Sequence, residues 1–306
     1  MNVLVATEKP FAPEAVGEIK TIVENAGHQF ELLEKYTDIS ELLKAVSEAN
    51  ALIIRSDIAS KELIEAANNL KIIVRAGAGY DNIDLEAATE KGIVAMNTPG
   101  QNSNAVAELA IGMMIFMARG KFDGKAGTEL KGKTLGIHAY GNVGKLVARI
   151  AQGFGMTVSA FDPFVSSELI EADGVKVYTS EDDLYSNNQY ISLHIPANDK
   201  TKNSINFELL SKMPKGATLI NTARKEVVDE ESLIRLMTER NDFKYASDIA
   251  PANAIVLLDK FNDKCYFTPK KLGAQTAEAN LNAGVAAANQ IIKFFDSGDT
   301  TFQVNK

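Results

Sequence analysis

The sequence predicts an α/β protein built on parallel sheets, and three observations carry that prediction. Short apolar runs alternate with helical segments of about ten residues along nearly the whole chain, the rhythm of repeated βαβ units. One run, Leu135-Gly-Ile-His, passes through the glycine turn Ala139-Tyr-Gly-Asn-Val-Gly144 straight into Lys145-Leu-Val-Ala-Arg-Ile-Ala, which has helical spacing. The longest apolar run, Leu109 to Ala118, is too short to span a bilayer, so the apolar residues belong to folded cores.

Strands are expected at Val3–Ala6, Gln29–Leu33, Ala51–Ile54, Lys71–Val74 and Ile93–Met96, with helices at Glu14–Ala26, Ile39–Glu48, Lys61–Asn68 and Leu85–Lys91 between them. A long helix, about Asn104 to Arg119, follows; Val106, Leu109, Ala110, Met113, Met114 and Met117 read as its packed face. After a polar link over Gly120–Lys133 the alternation restarts, with strands at Thr157–Phe161, Val175–Val177, Tyr190–His194, Thr218–Asn221, Tyr245–Ile249 and Tyr266–Thr268. Gln275 to Phe295 reads as one long helix. Two sequential sheets joined by a long helix are the expected organisation.

Composition bounds what such a protein does. At 306 residues the chain suits two domains, and 45% apolar residues are enough to bury a sizeable core. A net charge of -8 argues against a general binder of nucleic acid or of anionic membranes. Cys265 is the single cysteine, so no intrachain disulfide forms and a reducing, cytoplasmic setting is expected. Three scattered histidines and one cysteine show no metal-ligand spacing, and no metal is expected. Met1-Asn-Val-Leu-Val-Ala reads as a strand rather than as a secretion signal.

The strand, glycine turn and helix start around residue 140 make a cradle for a pyrophosphate, because turn amides and the positive end of a helix both favour an anion. Tyr140, Gly141, Asn142, Val143 and Gly144 are its candidate residues. Ala139 stands where G-x-G-x-x-G has its first glycine, and is tolerable if its φ stays negative. The next strand ends in Asp162, about twenty residues beyond the turn, where a carboxylate accepts from both hydroxyls of an adenosine ribose and repels a 2′-phosphate. That pairing points to NAD rather than NADP.

Six further blocks carry a resemblance. Arg75-Ala-Gly-Ala-Gly-Tyr-Asp-Asn, Asn97-Thr-Pro-Gly-Gln-Asn, Gly132-Lys-Thr-Leu-Gly-Ile, His194-Ile-Pro, Asn221-Thr-Ala-Arg and Leu272-Gly-Ala-Gln-Thr occur in this order over most of the chain. They resemble the signature blocks of the NAD-dependent D-2-hydroxyacid dehydrogenases. The resemblance implies a Rossmann dinucleotide-binding domain at 98–272 and a smaller, flavodoxin-like parallel α/β substrate domain. That second domain is discontinuous, made of 1–97 and 273–306, and the active site is expected in the cleft between the two.

The resemblance also implies roles. Arg224 matches the guanidinium that clamps the substrate carboxylate, a task suited to a planar bidentate donor. The amides of Ala76, Gly77, Ala78 and Gly79, with Asn102 nearby, are expected to hold the other carboxylate oxygen. Arg55 and Arg75 are candidates for a distal phosphate. His194, Ile195, Pro196 and Thr201 match a block lining the cofactor, and Thr222, Ala223 and Asp248 match positions near the nicotinamide.

The sequence departs from the family at the acid/base. Most members carry a histidine before the Leu-Gly-Ala segment and a glutamate about twenty residues earlier. Here the segment reads Thr268-Pro-Lys-Lys-Leu-Gly-Ala, and Asn253 or a neighbour stands where the glutamate is expected. Either catalysis is lost, leaving an NAD-binding protein like the co-repressors built on this fold, or a lysine replaces the imidazole. Lys271 is in register with the histidine counting back from Leu272, and Lys270 counting forward from Pro269; Lys271 is preferred, with His138 a more distant substitute. A free lysine, with a pKa near 10.4, is a poor base at neutral pH, and burial beside Arg224 and a positive nicotinamide would lower that value. A neighbouring carboxylate would raise it, so losing histidine and glutamate together is chemically coherent.

Lys225, in place of the family glycine, adds positive charge and favours a phosphorylated acid. The resemblance, together with these basic residues, implies a small phosphorylated hydroxy acid as the expected substrate, 3-phospho-D-glycerate, oxidised with NAD by a homodimer at the start of serine synthesis. An unphosphorylated acid such as glycerate, or hydroxypyruvate in the reverse sense, is the alternative. With Lys306 the last residue, no serine feedback through a C-terminal module is expected.

Overall fold

The computed structural model describes residues 1–306, which divide into two compact units: 1–102 with 275–306, and 103–274. The first is a five-stranded, all-parallel sheet. Its elements run β1 (Asn2–Thr7), α1 (Pro13–Asn25), β2 (Gln29–Glu34), α2 (Ile39–Glu48), β3 (Ala51–Ile54), α3 (Lys61–Ala66), β4 (Ile72–Arg75), α4 (Leu85–Glu90) and β5 (Val94–Asn97). Strand order is β2-β1-β3-β4-β5, the flavodoxin-like order. On β3, Ala51 and Ile53 face one apolar layer and Leu52 and Ile54 the other, because side chains alternate across a strand. Helices cover both faces, so β3, in the middle of the sheet, is apolar throughout, whereas the edge strand β2 is half polar.

The second unit opens on α5 (Ser103–Ala118) and continues β6 (Thr134–His138), α6 (Asn142–Gly153), β7 (Thr157–Phe161), α7 (Ser167–Ala172), β8 (Lys176–Val177), α8 (Glu181–Asn187) and β9 (Tyr190–Leu193). It closes with α9 (Phe207–Ser211), β10 (Thr218–Asn221), α10 (Glu230–Glu239), β11 (Lys244–Ser247), α11 (Ala254–Phe261) and β12 (Cys265–Phe267). Its seven parallel strands are ordered β12-β11-β10-β9-β6-β7-β8, the doubly wound Rossmann arrangement with one strand added at an edge. Chain direction across the sheet reverses between β6 and β9, and in open α/β sheets ligands bind at the carboxyl ends of strands beside such a reversal. Ala107, Ala110, Met113, Met114 and Met117 of α5 are buried in the layer with Leu135, Ile137, Ile220 and Ala246, so that helix is core, as its apolar content predicts.

The chain then returns to the first unit as α12 (Ala277–Ser297), whose Ala283, Ala287, Ala288 and Ile291 pack in the layer of Val3, Val5 and Val74. Beyond it, the Asn305 side chain accepts from the Ala95 amide (2.8 Å) and donates to the Ile93 carbonyl (2.8 Å), covering the β5 edge. No helix is long and apolar enough to cross a membrane.

Candidate active site

The cradle forms at the carboxyl end of β6. Gly141 is the N-cap of α6 and no side chain caps that terminus, so the first amides of the helix carry unmatched positive charge. A Cβ at Gly144 would overlap the Ala139 carbonyl oxygen and stand 2.9 Å from Ile137 Cγ2, so this glycine lets helix and strand pack closely. A Cβ at Gly141 would meet nothing within 4 Å, which leaves its outer side open to a ligand. One expectation is corrected here: Ala139 has φ +78°, not a negative value. The chain must reverse within one residue between β6 and α6, and the Ala139 amide is held by the Phe161 carbonyl (2.9 Å), so Ala139 takes the left-handed conformation despite its Cβ.

Tyr140 also differs from a direct cofactor contact. Its side chain is buried, with the hydroxyl donating to Asp173 (3.1 Å), and its amide donates to Asp162 Oδ2 (2.7 Å). Burial, and then Asp173, push the Tyr140 phenol well above its ordinary value. Tyr140 is thus a brace that ties the turn to the end of β7. Asp162 also accepts from the Phe164 amide (2.8 Å) on Oδ1, and each oxygen keeps a lone pair for a ribose hydroxyl. Asn142 is exposed and Val143 half-buried on the first turn of α6.

Beside the cradle, His194 follows β9 and its Nδ1 lies 3.3 Å from the Thr222 hydroxyl, just past β10. The residue as a whole is half-buried, and its Nε2 is enclosed without a partner. Burial, helped by His138, pushes its pKa down to about 3, so the imidazole is neutral. A buried, unmatched ring nitrogen at the carboxyl ends of β9 and β10 is a place for a polar ligand group. Ile195 is core, Pro196 is exposed, and the Thr201 hydroxyl accepts from the Asn198 amide (2.9 Å) and donates to the Pro196 carbonyl, closing that loop on itself.

His194 sets a pH dependence. In the unfolded chain it protonates near 6.5, whereas in the folded chain it stays neutral to about 3. Acid therefore draws protons to the unfolded state first, and stability falls as pH drops through that window, by at most about 1.4 kcal/mol per pH unit. Urea titrations at pH 7, 6 and 5 should show a shallower loss in His194→Asn than in the wild type; equal slopes would leave His194 without that role.

The loops after β10, β11 and β12 carry the remaining candidates. Those strands are neighbours in register, so Arg224, Asp248 and the lysine pair all follow carboxyl ends of adjacent strands. The Asn221 side chain accepts from the Ala223 amide (2.9 Å) and donates to the Arg224 carbonyl (2.9 Å), fixing the half-buried Arg224 in an extended conformation. Asn221 is one residue that sequence reading missed as a support. Glu230 is another: its carboxylate accepts from the amides of Ala252 (2.8 Å) and Asn253 (2.7 Å), pinning the segment where the family glutamate is expected. Lys225 shares an open depression of about 510 Å³ with Glu226, Asp229, Glu230 and Glu231, so acidic neighbours offset the charge it was expected to lend.

Lys270 and Lys271 are both exposed, so protein burial alone does not supply the desolvation expected for Lys271. His138 is not a substitute: it is buried, with Nδ1 3.1 Å from the Tyr185 hydroxyl and Nε2 3.4 Å from Glu181.

In the first unit, Arg55 follows β3 and donates to the Pro10 carbonyl (3.1 Å) and to Asn280, with its guanidinium 4.9 Å from the Phe11 ring centroid. Burial presses its pKa below the ordinary arginine value, against the pull of Asp57. Arg75, the last residue of β4, donates from Nε to the Arg55 carbonyl (2.9 Å). The expected anion nest shrinks: the Ala76 amide donates to the Ile54 carbonyl (2.8 Å) and the Gly77 amide to the Arg75 carbonyl (2.9 Å), because the chain turns inward there. The amides of Ala78 and Gly79 remain for an anion, and Asn102 is half-buried ahead of α5.

The family model described as D-isomer specific 2-hydroxyacid dehydrogenase, NAD binding domain, matches residues 106–269, most of the second unit. The chain belongs to the NAD-dependent D-2-hydroxyacid dehydrogenases. It is most like their D-3-phosphoglycerate dehydrogenase branch. Its backbone resembles the crystal structure of NAD+-bound 3-phosphoglycerate dehydrogenase from Entamoeba histolytica, with a TM-score of 0.90 and 49% identity over 100% of this chain and 99% of that one. It is 38% identical over 283 residues to a hydroxypyruvate reductase of Thermotoga maritima, covering 87% of this chain and 91% of the relative. It is 37% identical over 272 residues to a D-3-phosphoglycerate dehydrogenase of Methanocaldococcus jannaschii, covering 83% of this chain and 51% of that relative, so it spans about half of that protein. NAD is the cofactor, and the uncapped start of α6, the open side of Gly141 and the unmatched His194 nitrogen fit it.

Proposed function

We propose that the chain oxidises 3-phospho-D-glycerate to 3-phosphohydroxypyruvate. The observation that carries this reading is the grouping of Arg224, Asp248 and a lysine pair on loops after three adjacent parallel strands. Arg224 clamps the substrate carboxylate, presenting C2 in one orientation. Lys271 takes the proton from the C2 hydroxyl as the carbonyl forms. Bound NAD supplies the acceptor for the hydride that leaves C2. Asp162 and the amides of residues 141–144 hold the cofactor's adenosine ribose and pyrophosphate. Likeness to the phosphoglycerate dehydrogenases supports the phosphorylated substrate. In this reading the enzyme is a cytoplasmic homodimer that opens serine biosynthesis.

NADH production with 3-phosphoglycerate, glycerate and D-lactate, and NADH consumption with hydroxypyruvate, test the assignment. A kcat/KM for 3-phosphoglycerate at least about a hundredfold above that for glycerate is expected, since a site built to pair a charged group rejects analogues lacking it. Equal values would remove the phosphate assignment. Faster turnover of hydroxypyruvate would favour the activity named for the Thermotoga maritima relative, which this chain matches over 91% of its length.

A further inference from the structure

One buried carboxylate ties together three loops at the carboxyl edge of the first sheet. Asp57, 7% exposed, accepts on Oδ1 from the Glu8 amide (2.6 Å) and the Tyr36 hydroxyl (2.6 Å), and on Oδ2 from the Arg55 amide (3.3 Å). Glu8 follows β1, Tyr36 follows β2 and Arg55 follows β3, and those strands are neighbours in the order β2-β1-β3. Burial, and then Asp57, push the Tyr36 phenol above its ordinary value, so it stays a donor. The Asn82 side chain closes the turn from another side, donating to the carbonyls of Arg55 (3.1 Å) and Asp57 (2.6 Å).

The residue held most completely by this clamp is Arg55. Asp57 binds its amide directly on one oxygen. Through the other oxygen it fixes Glu8 at the head of Glu8-Lys9-Pro10, and the Lys9 and Pro10 carbonyls accept from Arg55 Nη1 (3.4 and 3.1 Å). Asn280 accepts from Nη2, and the Phe11 ring packs against the guanidinium. These acceptors are all neutral, and three bonds take at most three of the five N–H donors of an arginine. A half-buried guanidinium with donors to spare, at the carboxyl edge of a parallel sheet, is a seat for an oxyanion. Asp57 is no ligand of that anion, since a carboxylate repels a phosphate and two donors already fill its Oδ1.

We propose that Asp57 is a positioning residue that sets the preference for a phosphorylated substrate, holding Arg55 toward the distal phosphate through the loops after β1, β2 and β3. This rests on the substrate's being phosphorylated, as proposed for the chain. Asp57→Asn keeps the shape but puts an N–H2 group where a donor now finds an oxygen. It should raise the KM for 3-phosphoglycerate about tenfold, while kcat/KM for glycerate and the Kd for NADH each change less than about twofold. The sign of the change is informative, because the same substitution removes a negative charge beside the anion. A carboxylate acting by charge alone would lower that KM on removal, whereas a clamp raises it. Tyr36→Phe removes one donor and no charge, and should raise the same KM about threefold. It carries the test if Asp57→Asn does not fold.

In an Arg55→Ala background, Asp57→Asn should add less than about a twofold loss, because two residues acting through one group are not additive. An undiminished further loss there overturns the proposal. So does an unchanged or lowered KM for 3-phosphoglycerate in folded Asp57→Asn. An equal loss on both substrates overturns it as well, since the clamp then supports the fold without selecting a phosphate. If the wild type itself uses 3-phosphoglycerate and glycerate equally well, the phosphate reading fails and the preference assigned to Asp57 fails with it. Amide hydrogen exchange at Glu8 and Arg55, faster by at least about tenfold in Asp57→Asn, then separates a clamp without a phosphate from no clamp at all.

Discussion

Lys271→Ala should lower kcat with 3-phosphoglycerate by about three orders of magnitude, within the range a positioned general base contributes. Lys270→Ala should change it less than about threefold, because a lysine one residue out of register is not placed for the proton transfer. The KM for substrate should change little in Lys271→Ala, since the proposed carboxylate clamp is Arg224. The pH profile gives a second, independent reading. With a lysine as base, kcat/KM climbs into the alkaline range, whereas a limb near the ordinary histidine value of about 6.5 would point to an imidazole. His138 is enclosed by Tyr185 and Glu181, so it offers no such imidazole. Full kcat in Lys271→Ala with a thousandfold loss in Lys270→Ala would transfer the role one residue back.

This assignment asks for a desolvated lysine, and the chain alone leaves Lys271 exposed. Under this assignment bound ligands would complete the desolvation, and the sequence did not disclose that burial by the chain falls short. Elsewhere the fold was legible to a degree that the physics explains. Runs such as Ala51-Leu-Ile-Ile and Thr218-Leu-Ile-Asn are apolar on both faces because helices cover both sides of a parallel sheet, so they stand out without alternation. The cradle was legible because glycines mark where backbone crowds backbone, and Gly144 is such a place. What escaped depends on where polar groups turn. Nothing in the letters Arg75-Ala-Gly shows that the Ala76 and Gly77 amides bond inward. Nothing about Tyr140 shows that its hydroxyl reaches Asp173, 33 residues on. Asp248 could be placed near the nicotinamide by its motif, but its three partners lie 20, 24 and 25 residues further on, a spacing no local pattern encodes.

The turn at Gly144 gives the other large effect. Gly144→Ala would press a methyl group into the Ala139 carbonyl oxygen and the Ile137 side chain, Ile137 being held in the sheet and Ala139 by its amide bond to the Phe161 carbonyl. Backbone on one side and a β-branched core residue on the other leave no flexible group to yield, so α6 must lift from β6. Overpacking of this kind costs about 1–3 kcal/mol. The same lift carries the amides of residues 141–144 away from a pyrophosphate, so the Kd for NADH should rise at least about tenfold. Ala139→Gly separates strain from collision at this turn. It leaves the helix where it is and removes the Cβ penalty of a left-handed φ, about 1–2 kcal/mol, against the extra chain entropy of glycine, roughly 0.5–1 kcal/mol. That variant should bind NADH as the wild type does and be equally or slightly more stable in urea. If Gly144→Ala also binds NADH like the wild type, α6 has room that the packing of Ile137, Ala139 and Gly144 denies, and the close approach of helix to strand is not what shapes the cradle.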